Sequence, residues 1–357
     1  MSANDRTGVH GMAWLWVLLL IAGSVLWFLL ATNGETDRAW RALLSNFLFF
    51  TSLAGGLVVW PAVARSCNGR WHTNMEHLAA SGLSFSIPSI LLLLLLWIGS
   101  PSWSPWYGVE HHQGFWLNNS FLFGRDLAAL VLFWGIAWWY QAQRRTGEAV
   151  ITGGILIVVY CMVFSLLGFD LVMALDPHWF STLAGGYFFI TGLYIAAACW
   201  AFLSAWAPGT SENERHDLGR LVLCFSLLTT HFMYSHLLPI WYGNLPHEVR
   251  FHMNRMAPPS WRIVSFLLLG TIYLGPLVML LTERAKRNRV LLGIISFIIL
   301  VGMWGERWWL VAPTFDNVRR LGMIEISAAA ACSGLLGLGM VMFRRFIPPG
   351  MTVHKEE

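Results

Sequence analysis

Charged residues are scarce in this chain. Only 12% of its 357 residues are Asp, Glu, Lys or Arg, whereas 56% are hydrophobic and the mean hydropathy is +0.57. Because soluble domains carry about a quarter charged residues, this composition excludes an ordinary soluble globular protein. The solvent of most of the chain is therefore a lipid bilayer. The net charge of +4 bears on how the loops are placed about the membrane and does not indicate nucleic-acid binding.

Cysteine motifs are also absent. The five cysteines are scattered along the chain and no two form a C-x-x-C pair. This excludes a disulfide framework, a paired-cysteine zinc site and an iron–sulfur ligand set, and the absence of C-x-x-C-H excludes a covalently attached c-type haem. We therefore expect no metal and no resident cofactor on this chain, and any redox centre must belong to a partner.

Histidine pairs suited to a b-type haem are missing as well. Membrane bundles hold such haems between axial histidines on facing helices. Only His231 and His236 fall within long apolar runs, and five residues place them about 140° apart on one helix, so they cannot ligate one haem together.

Long apolar runs, in contrast, are abundant. A helix needs roughly 20 residues to cross a hydrocarbon core of about 30 Å, and ten runs reach that length. The sequence thus predicts an all-α integral membrane protein, a single polytopic membrane domain over residues 1–357, with the first run retained as a helix. The predicted spans are 12–31, 43–64, 78–99, 121–140, 150–175, 180–206, 221–241, 261–281, 290–312 and 321–343.

Basic residues are distributed unequally between the two sets of loops. With both termini inside, the inner segments hold 14 Lys or Arg residues and the outer segments hold 8. The positive-inside rule therefore predicts that both termini are cytoplasmic. The 21 tryptophans, several of them at predicted helix ends, fit an interfacial belt at the membrane surface.

Ionisable residues inside the spans lie mostly toward the outer face. Asp170 is about 9 Å below the outer end of its span, and Glu306 is about as deep. A charge at membrane depth costs several kcal/mol unless it is paired or hydrated, so each such residue is a functional candidate. The alternative is a purely structural ion pair, for instance between Asp170 and either Arg125 or Arg307.

Two of the predicted spans contain a pair of ionisable residues that are adjacent in sequence. Glu306 and Arg307 are adjacent, so we expect that they do not face each other and that each has a partner on another span. Arg125 and Asp126 are weaker candidates, because both could reach the interface by snorkelling.

Four sequence blocks together resemble a known family, the ten-helix ActF subunit of alternative complex III, which is related to the NrfD and polysulfide reductase membrane subunits. They are FDLVMALDPHWFSTLAGGYFF at 169–189, LGRLVLCFSLLTTHFMYSHLLPIWYGNLPHE at 218–248, ERAKRN at 283–288 and GERWWLVAP at 305–313. The chain differs from the pattern expected of that family at Leu171, Gln113 and His236.

This resemblance implies a fold, a function and a set of partners. The fold is two four-helix bundles, residues 43–175 and 180–312, flanked by one helix on each side. The function is that of a non-redox membrane subunit of a quinol-oxidising bacterial respiratory complex in the inner membrane, a quinol:cytochrome c oxidoreductase in which cytochrome c is the electron acceptor. The partners are a sister NrfD-like membrane subunit, an iron–sulfur subunit, and multihaem and monohaem cytochrome c subunits.

The expected site lies near the outer face, where the protein handles quinol, conducts protons, or does both. Quinol oxidation releases two protons, so proton acceptors are required there. The candidate acceptors are Asp170, His178, His236 and Glu306, and the candidate pocket residues are His112, Arg125, Trp179 and Arg307.

Two other functions remain open from the sequence. The chain could be a redox-inactive scaffold that docks extrinsic haem and iron–sulfur subunits through the loops around His112 and residues 244–262. It could instead be a secondary transporter, whose mark is a pair of helices broken by Gly or Pro at the midplane. The prolines Pro88, Pro239 and Pro276 do not form such a pair.

Overall fold

The computed structural model describes residues 3–69, 75–144, 149–245, 248–318 and 320–346. Ten helices in these ranges are long and apolar enough to cross a membrane, and the described residues contain no strand. The prediction of an all-α multi-pass membrane protein is confirmed. The helices are α1 (Ala3–Thr32), α2 (Thr36–Ser66), α3 (Glu76–Ile98), α4 (Asn119–Arg144), α5 (Val150–Leu171), α6 (Ala184–Trp206), α7 (Glu212–Tyr242), α8 (Pro259–Met279), α9 (Arg289–Val311) and α10 (Met323–Phe346).

Helices α2 and α6 form the centre of the molecule. Both are buried along almost their whole length, and they pack against each other and against α5 and α9. Gly56 of α2 permits the close approach, because a Cβ atom there would lie 2.8 Å from the Gly192 carbonyl oxygen of α6. Small residues at such crossings are typical of membrane helices. The division into two four-helix bundles stays a prediction.

Helix α1 is peripheral and packs mainly on α10. Its other side exposes large apolar side chains such as Leu18, Val25 and Phe28, as a lipid-facing surface does. The two helices meet through small residues, since a Cβ atom on Gly334 would lie 2.5 Å from the backbone nitrogen of Leu20.

Helix α8 is interrupted by a π-helical turn over Leu269–Leu274. Two side chains satisfy the displaced carbonyl groups of this turn. The Tyr194 hydroxyl donates to the Ile272 oxygen at 2.9 Å, and the Ser226 hydroxyl donates to the Tyr273 oxygen at 3.0 Å. Turns of this type occur frequently at functional sites.

Two short segments join the helices at the predicted outer end. A loop containing a 3₁₀ turn (Gly114–Leu117) precedes α4, and the loop between α7 and α8 contains a helix over Arg250–Met256. Positions 246 and 247 of the second loop lie outside the described residues. Both segments lie at the same end as Asp170 and Glu306, so they cover the region that the sequence marks as polar.

Candidate functional site

Asp170, near the end of α5, forms a buried ion pair with Arg125 of α4. The Arg125 Nε atom donates to Asp170 Oδ2 at 2.8 Å, and Arg125 Nη2 lies 2.6 Å from Oδ1. The Asp170 side chain is only 1% exposed. Arg125 also donates to the Trp116 carbonyl oxygen at 2.8 Å and stacks over the Trp116 ring. Asp170 therefore pairs with Arg125 and not with Arg307, the other arginine that the sequence offered as a partner.

Asp126 is the second carboxyl group of this cluster. It is fully buried beside the Asp170 carboxyl group and near the Arg125 guanidinium. The expectation that Asp126 snorkels to the interface is wrong, because its helix turns this side chain inward. The short Asp stem cannot reach water from there as a longer side chain would. Two carboxyl groups thus share one guanidinium, that of Arg125.

Glu306 of α9 lies in a separate buried network. Its Oε1 atom accepts a hydrogen bond of 2.5 Å from the Tyr187 hydroxyl, which in turn lies 2.8 Å from the Tyr273 hydroxyl. Its Oε2 atom lies 3.0 Å from Arg307 Nη1, and Arg307 Nη2 donates to the Thr191 hydroxyl at 2.8 Å. Glu306 and Arg307 are both 0% exposed.

The Glu306–Arg307 contact corrects the sequence prediction for this pair. Adjacent residues on a helix do point in different directions, but the long Arg307 side chain folds back so that its guanidinium reaches the neighbouring carboxylate. Arg307 also lies over the Phe188 ring of α6, 4.4 Å from its centroid. The expected partners on another span are present too, in Tyr187 and Thr191 of α6.

A small cavity of about 20 Å³ lies next to this network. Trp179, Tyr187, His236 and Phe251 are among its walls, and the Trp179 ring stacks on Phe251 with centroids 4.2 Å apart. Trp179 Nε1 and His236 Nε2 are buried without a hydrogen-bond partner among the described residues. A cavity needs roughly 10–15 Å³ to hold one water molecule, so this one has room for about one.

His252 and Arg255 lie beside the cavity on the helix Arg250–Met256. Burial, reinforced by the nearby His236 and Arg255 groups, lowers the pKa of His252 to about 4. Burial lowers the pKa of Arg255 to about 9, although Asp176 and Glu306 act in the opposite direction. Arg255 therefore remains cationic at neutral pH. It donates to the carbonyl oxygens of Phe251, Trp309 and Leu310 at 2.7–3.1 Å.

His112 and His178 lie together on the exposed surface of the loops. Their rings are nearly parallel, with centroids 6.4 Å apart. The loops carrying them are joined by a 2.6 Å hydrogen bond from Gln113 Nε2 to the Pro177 oxygen. An ion pair of 2.7 Å between Arg250 and Asp176 ties the same turn to the α7–α8 loop.

The predicted site residues thus fall into three groups. Arg125 and Asp170 form one buried cluster, while Glu306 and Arg307 form a second, with His236 and Trp179 on the adjoining cavity. His112 and His178 form the exposed pair. Sequence reasoning missed Tyr187, Tyr273 and His252 as members of these groups, and it ranked Asp126 only as a weaker candidate. Tyrosine in an apolar run is typical of a packed core, and only the intramembrane position of Asp126 gave a signal. Within the described ranges, no group of three or more His, Cys, Asp or Glu residues could hold a metal ion.

Comparisons with known proteins give one distant relative. No family model matches the chain. Over 195 residues it is 26% identical to a subunit of the selenate reductase of Mesobacillus selenatarsenatis, a match that covers 49% of this chain and 44% of that protein. This chain is therefore similar to a reductase subunit. The match spans less than half the length of that relative, and it does not single out ActF among membrane subunits.

Proposed function

We propose that this chain is a membrane subunit of a respiratory electron-transfer complex and that it contributes to quinol oxidation near the outer face. The similarity to a selenate reductase subunit supports a membrane subunit of such a complex. The alternative complex III type rests on the resemblance of the four sequence blocks to ActF. On this proposal the chain holds no redox cofactor, and its quinol is a substrate.

The observation that carries the proposal is the pair of buried acid clusters at one end of the bundle. Asp170 and Glu306 are each buried, and each contacts an arginine. A buried carboxylate is tolerated in a membrane only when it is compensated, and such groups mark proton relays. Quinol oxidation needs acceptors for two protons at this level.

The candidate residues then have distinct roles. Asp170, His178, His236 and Glu306 accept protons, while Arg125 and Arg307 hold the two carboxylates and, with His112 and Trp179, border the substrate. The Trp179 cavity has room for about one water, so its walls must move to admit a quinol headgroup, and in this proposal Trp179 is the wall that moves. The two carboxyl groups beside Arg125 can bind one proton and still balance its charge.

The partners and location follow from the same proposal. An iron–sulfur subunit and haem-containing cytochrome c subunits receive the electrons at the outer face, and a sister NrfD-like subunit shares the membrane. The complex lies in a bacterial inner membrane with both termini of this chain cytoplasmic, as 14 inner against 8 outer basic residues favour.

A redox-inactive scaffold is the second candidate. It is favoured by the rigid outer surface, where Arg255 fixes three carbonyl groups and Arg250 pairs with Asp176. Loops held this firmly provide a fixed platform for an extrinsic partner. In this role the buried acids only hold the bundle together.

Replacing Asp170 by Asn in the complete complex separates the two functions. Asn keeps the size and hydrogen bonding of the side chain but cannot titrate. We expect the complex to assemble with its haems intact and quinol-dependent haem reduction to fall at least about tenfold, as loss of a proton acceptor does.

Glu325→Gln is the matched control. Glu325 is also buried, and both of its carboxylate oxygens accept from Arg38 at 2.8 Å, but it lies on α10. This variant should lose a comparable ion pair and keep quinol turnover. Normal turnover in Asp170→Asn would remove the acid from the proton path. Failure of that variant to assemble would favour the scaffold.

A further inference from the structure

A cavity of about 70 Å³ lies at the opposite end of the bundle, where α2 and α4 end and α5 begins. Arg65, Tyr140, Val150 and Gly153 are among its walls. Its volume is several times the roughly 10–15 Å³ that one water molecule requires, so it has room for a small polar group. The cavity lies far along the helices from Asp170, and the inference drawn from it does not depend on the proposed function.

Tyr140 brings an unsatisfied hydroxyl to this cavity. The residue is only 1% exposed, its ring packs over Gly153, and its hydroxyl has no hydrogen-bond partner among the described residues. A buried hydroxyl without a partner is unfavourable, because it has lost its hydrogen bonds to water and has gained none in the protein. Such a group is expected to meet a ligand that fills the cavity.

A cationic side chain lines the same cavity. Arg65 contacts the buried carboxylate of Glu76 through its Nε atom, at 3.3 Å. A guanidinium has five N–H donors, so four of them are not engaged in this contact.

The start of α5 adds backbone donors. The first amide groups of a helix have no intrahelical acceptor, and Ala149 at the N-cap position provides no side-chain cap for them. Ala149, Val150 and Gly153 line the cavity, so this turn, which has no side-chain cap among the described residues, borders it. A helix N-terminus, a cation and a free hydroxyl are together the donor set that recognises a phosphate group.

We propose that this cavity binds the phosphate of an anionic membrane phospholipid. A lipid rather than free phosphate fits the surroundings, because the cavity lies at the ends of three membrane helices, at the level of the headgroups. Next to it, Val150 is 86% exposed and Ile151 is 77% exposed. These side chains continue along α5 as the exposed apolar positions Ile155, Val158 and Met162, a surface on which acyl chains can lie.

The test is a lipid titration of the full chain in detergent, followed by thermal unfolding and by native mass spectrometry. The probes are dioleoyl-phosphatidylglycerol, dioleoyl-phosphatidylcholine and inorganic phosphate. We expect phosphatidylglycerol to raise the unfolding temperature and to be retained by the protein. Phosphatidylcholine and inorganic phosphate at the same concentration should do neither. Stabilisation by phosphate alone would overturn the lipid assignment, and equal effects of the two lipids would overturn a site for anionic lipid.

Tyr140→Phe tests the hydroxyl, with Tyr242→Phe, at an 85% exposed position, as the matched control. Without lipid, Tyr140→Phe should be neutral or slightly stabilising, because it removes an unsatisfied buried group. With phosphatidylglycerol, its dissociation constant should rise about tenfold, as expected for a lost hydrogen bond to a charged group. Arg65→Gln should weaken binding as well. Unchanged affinity in both variants would refute the site, as would equal destabilisation of Tyr140→Phe with and without lipid.

Discussion

Buried carboxylates in this chain are compensated by arginine, and the way each pair forms depends on side-chain length. Asp170 pairs with Arg125 across two helices, whereas the depth of these residues left either Arg125 or Arg307 as its partner. The pairing of Glu306 with its neighbour Arg307 was not predictable from helix geometry, because it depends on how a long flexible side chain folds. The two tyrosines of the Glu306 network could not be distinguished from core residues by sequence alone.

His252 makes the stability of the fold depend on pH. Its pKa is about 4 in the folded chain, against about 6.5 when exposed in the unfolded chain. The unfolded state therefore binds more protons between these values, and stability present above pH 6.5 is lost as the pH falls toward 4. We expect a loss on the order of 1–2 kcal/mol between pH 7 and pH 5.

Thermal unfolding in detergent between pH 5 and pH 7 measures this effect. His252→Phe removes two ring nitrogens that have no hydrogen-bond partner in the described part of the chain, and it should reduce the acid-dependent decrease of the unfolding temperature. His112→Gln, at an exposed loop position, should retain it. An identical pH profile for His252→Phe and the unmodified chain would show that His252 is not the responsible group.

At the scale of helices, hydropathy predicted the existence of all ten spans better than it predicted their ends. Helix α7 begins at Glu212, nine residues before its predicted start at 221, because its first turns are charged and are held by a capping box between Ser211 and Glu214. Helix α6 begins at Ala184 instead of 180, because the DPHWFST segment forms a turn that carries His178 and Trp179. The hydropathy of a segment indicates neither the capping box that begins α7 nor the turn that precedes α6.

The close contact between α1 and α10 leaves no room for a larger side chain at Gly334. Replacing Gly334 by Leu places a branched side chain where the Leu20 backbone lies within 2.8 Å, so α1 must move away from α10. Overpacking of this kind costs typically about 1–3 kcal/mol. We expect a lower unfolding temperature and faster proteolytic release of α1 from the purified chain.

Gly135→Ala is the comparison for this variant. Gly135 lies within α4, and a Cβ atom there meets no other atom within 4 Å. Since Ala favours a helix over Gly by about 1 kcal/mol, this change should be neutral or stabilising. If Gly334→Leu unfolds at the same temperature as Gly135→Ala, α1 does not depend on close contact with α10.

The whole molecule is asymmetric between its two ends. One end has the acid clusters and the exposed histidine pair, and the other has Glu76 between Arg65 and Arg144. Asp170 and Glu306 lie at one end of the bundle, and the assignment of that end to the outer face stays a prediction. The arginine pair around Glu76 was not predicted, because it lies at span ends where charged residues are common.

The side of the membrane on which the termini lie can be tested with reporter fusions. The ten candidate spans of the described residues predict both termini on one side, and the positive-inside rule predicts that this side is the cytoplasm. A fluorescent protein fused at Glu357, which lies outside the described residues, should fluoresce in cells, and an alkaline phosphatase fusion at the same position should be inactive. The same fusions placed in the loop after Trp103 should give the opposite results. Phosphatase activity at Glu357 would invert the whole assignment of outer and inner faces.

The π-helical turn over Leu269–Leu274 also determines how the two halves of α8 are rotated relative to each other. A π-helical turn accommodates one residue more than a regular turn, and one residue corresponds to about 100° of rotation about the axis. Tyr273 contacts Tyr187 with the extra residue in place. Without that residue, every side chain on one side of the turn would be rotated by about a quarter of a circle relative to the other. The hydroxyl chain that ends on Glu306 therefore depends on the number of residues in this turn as much as on their identity.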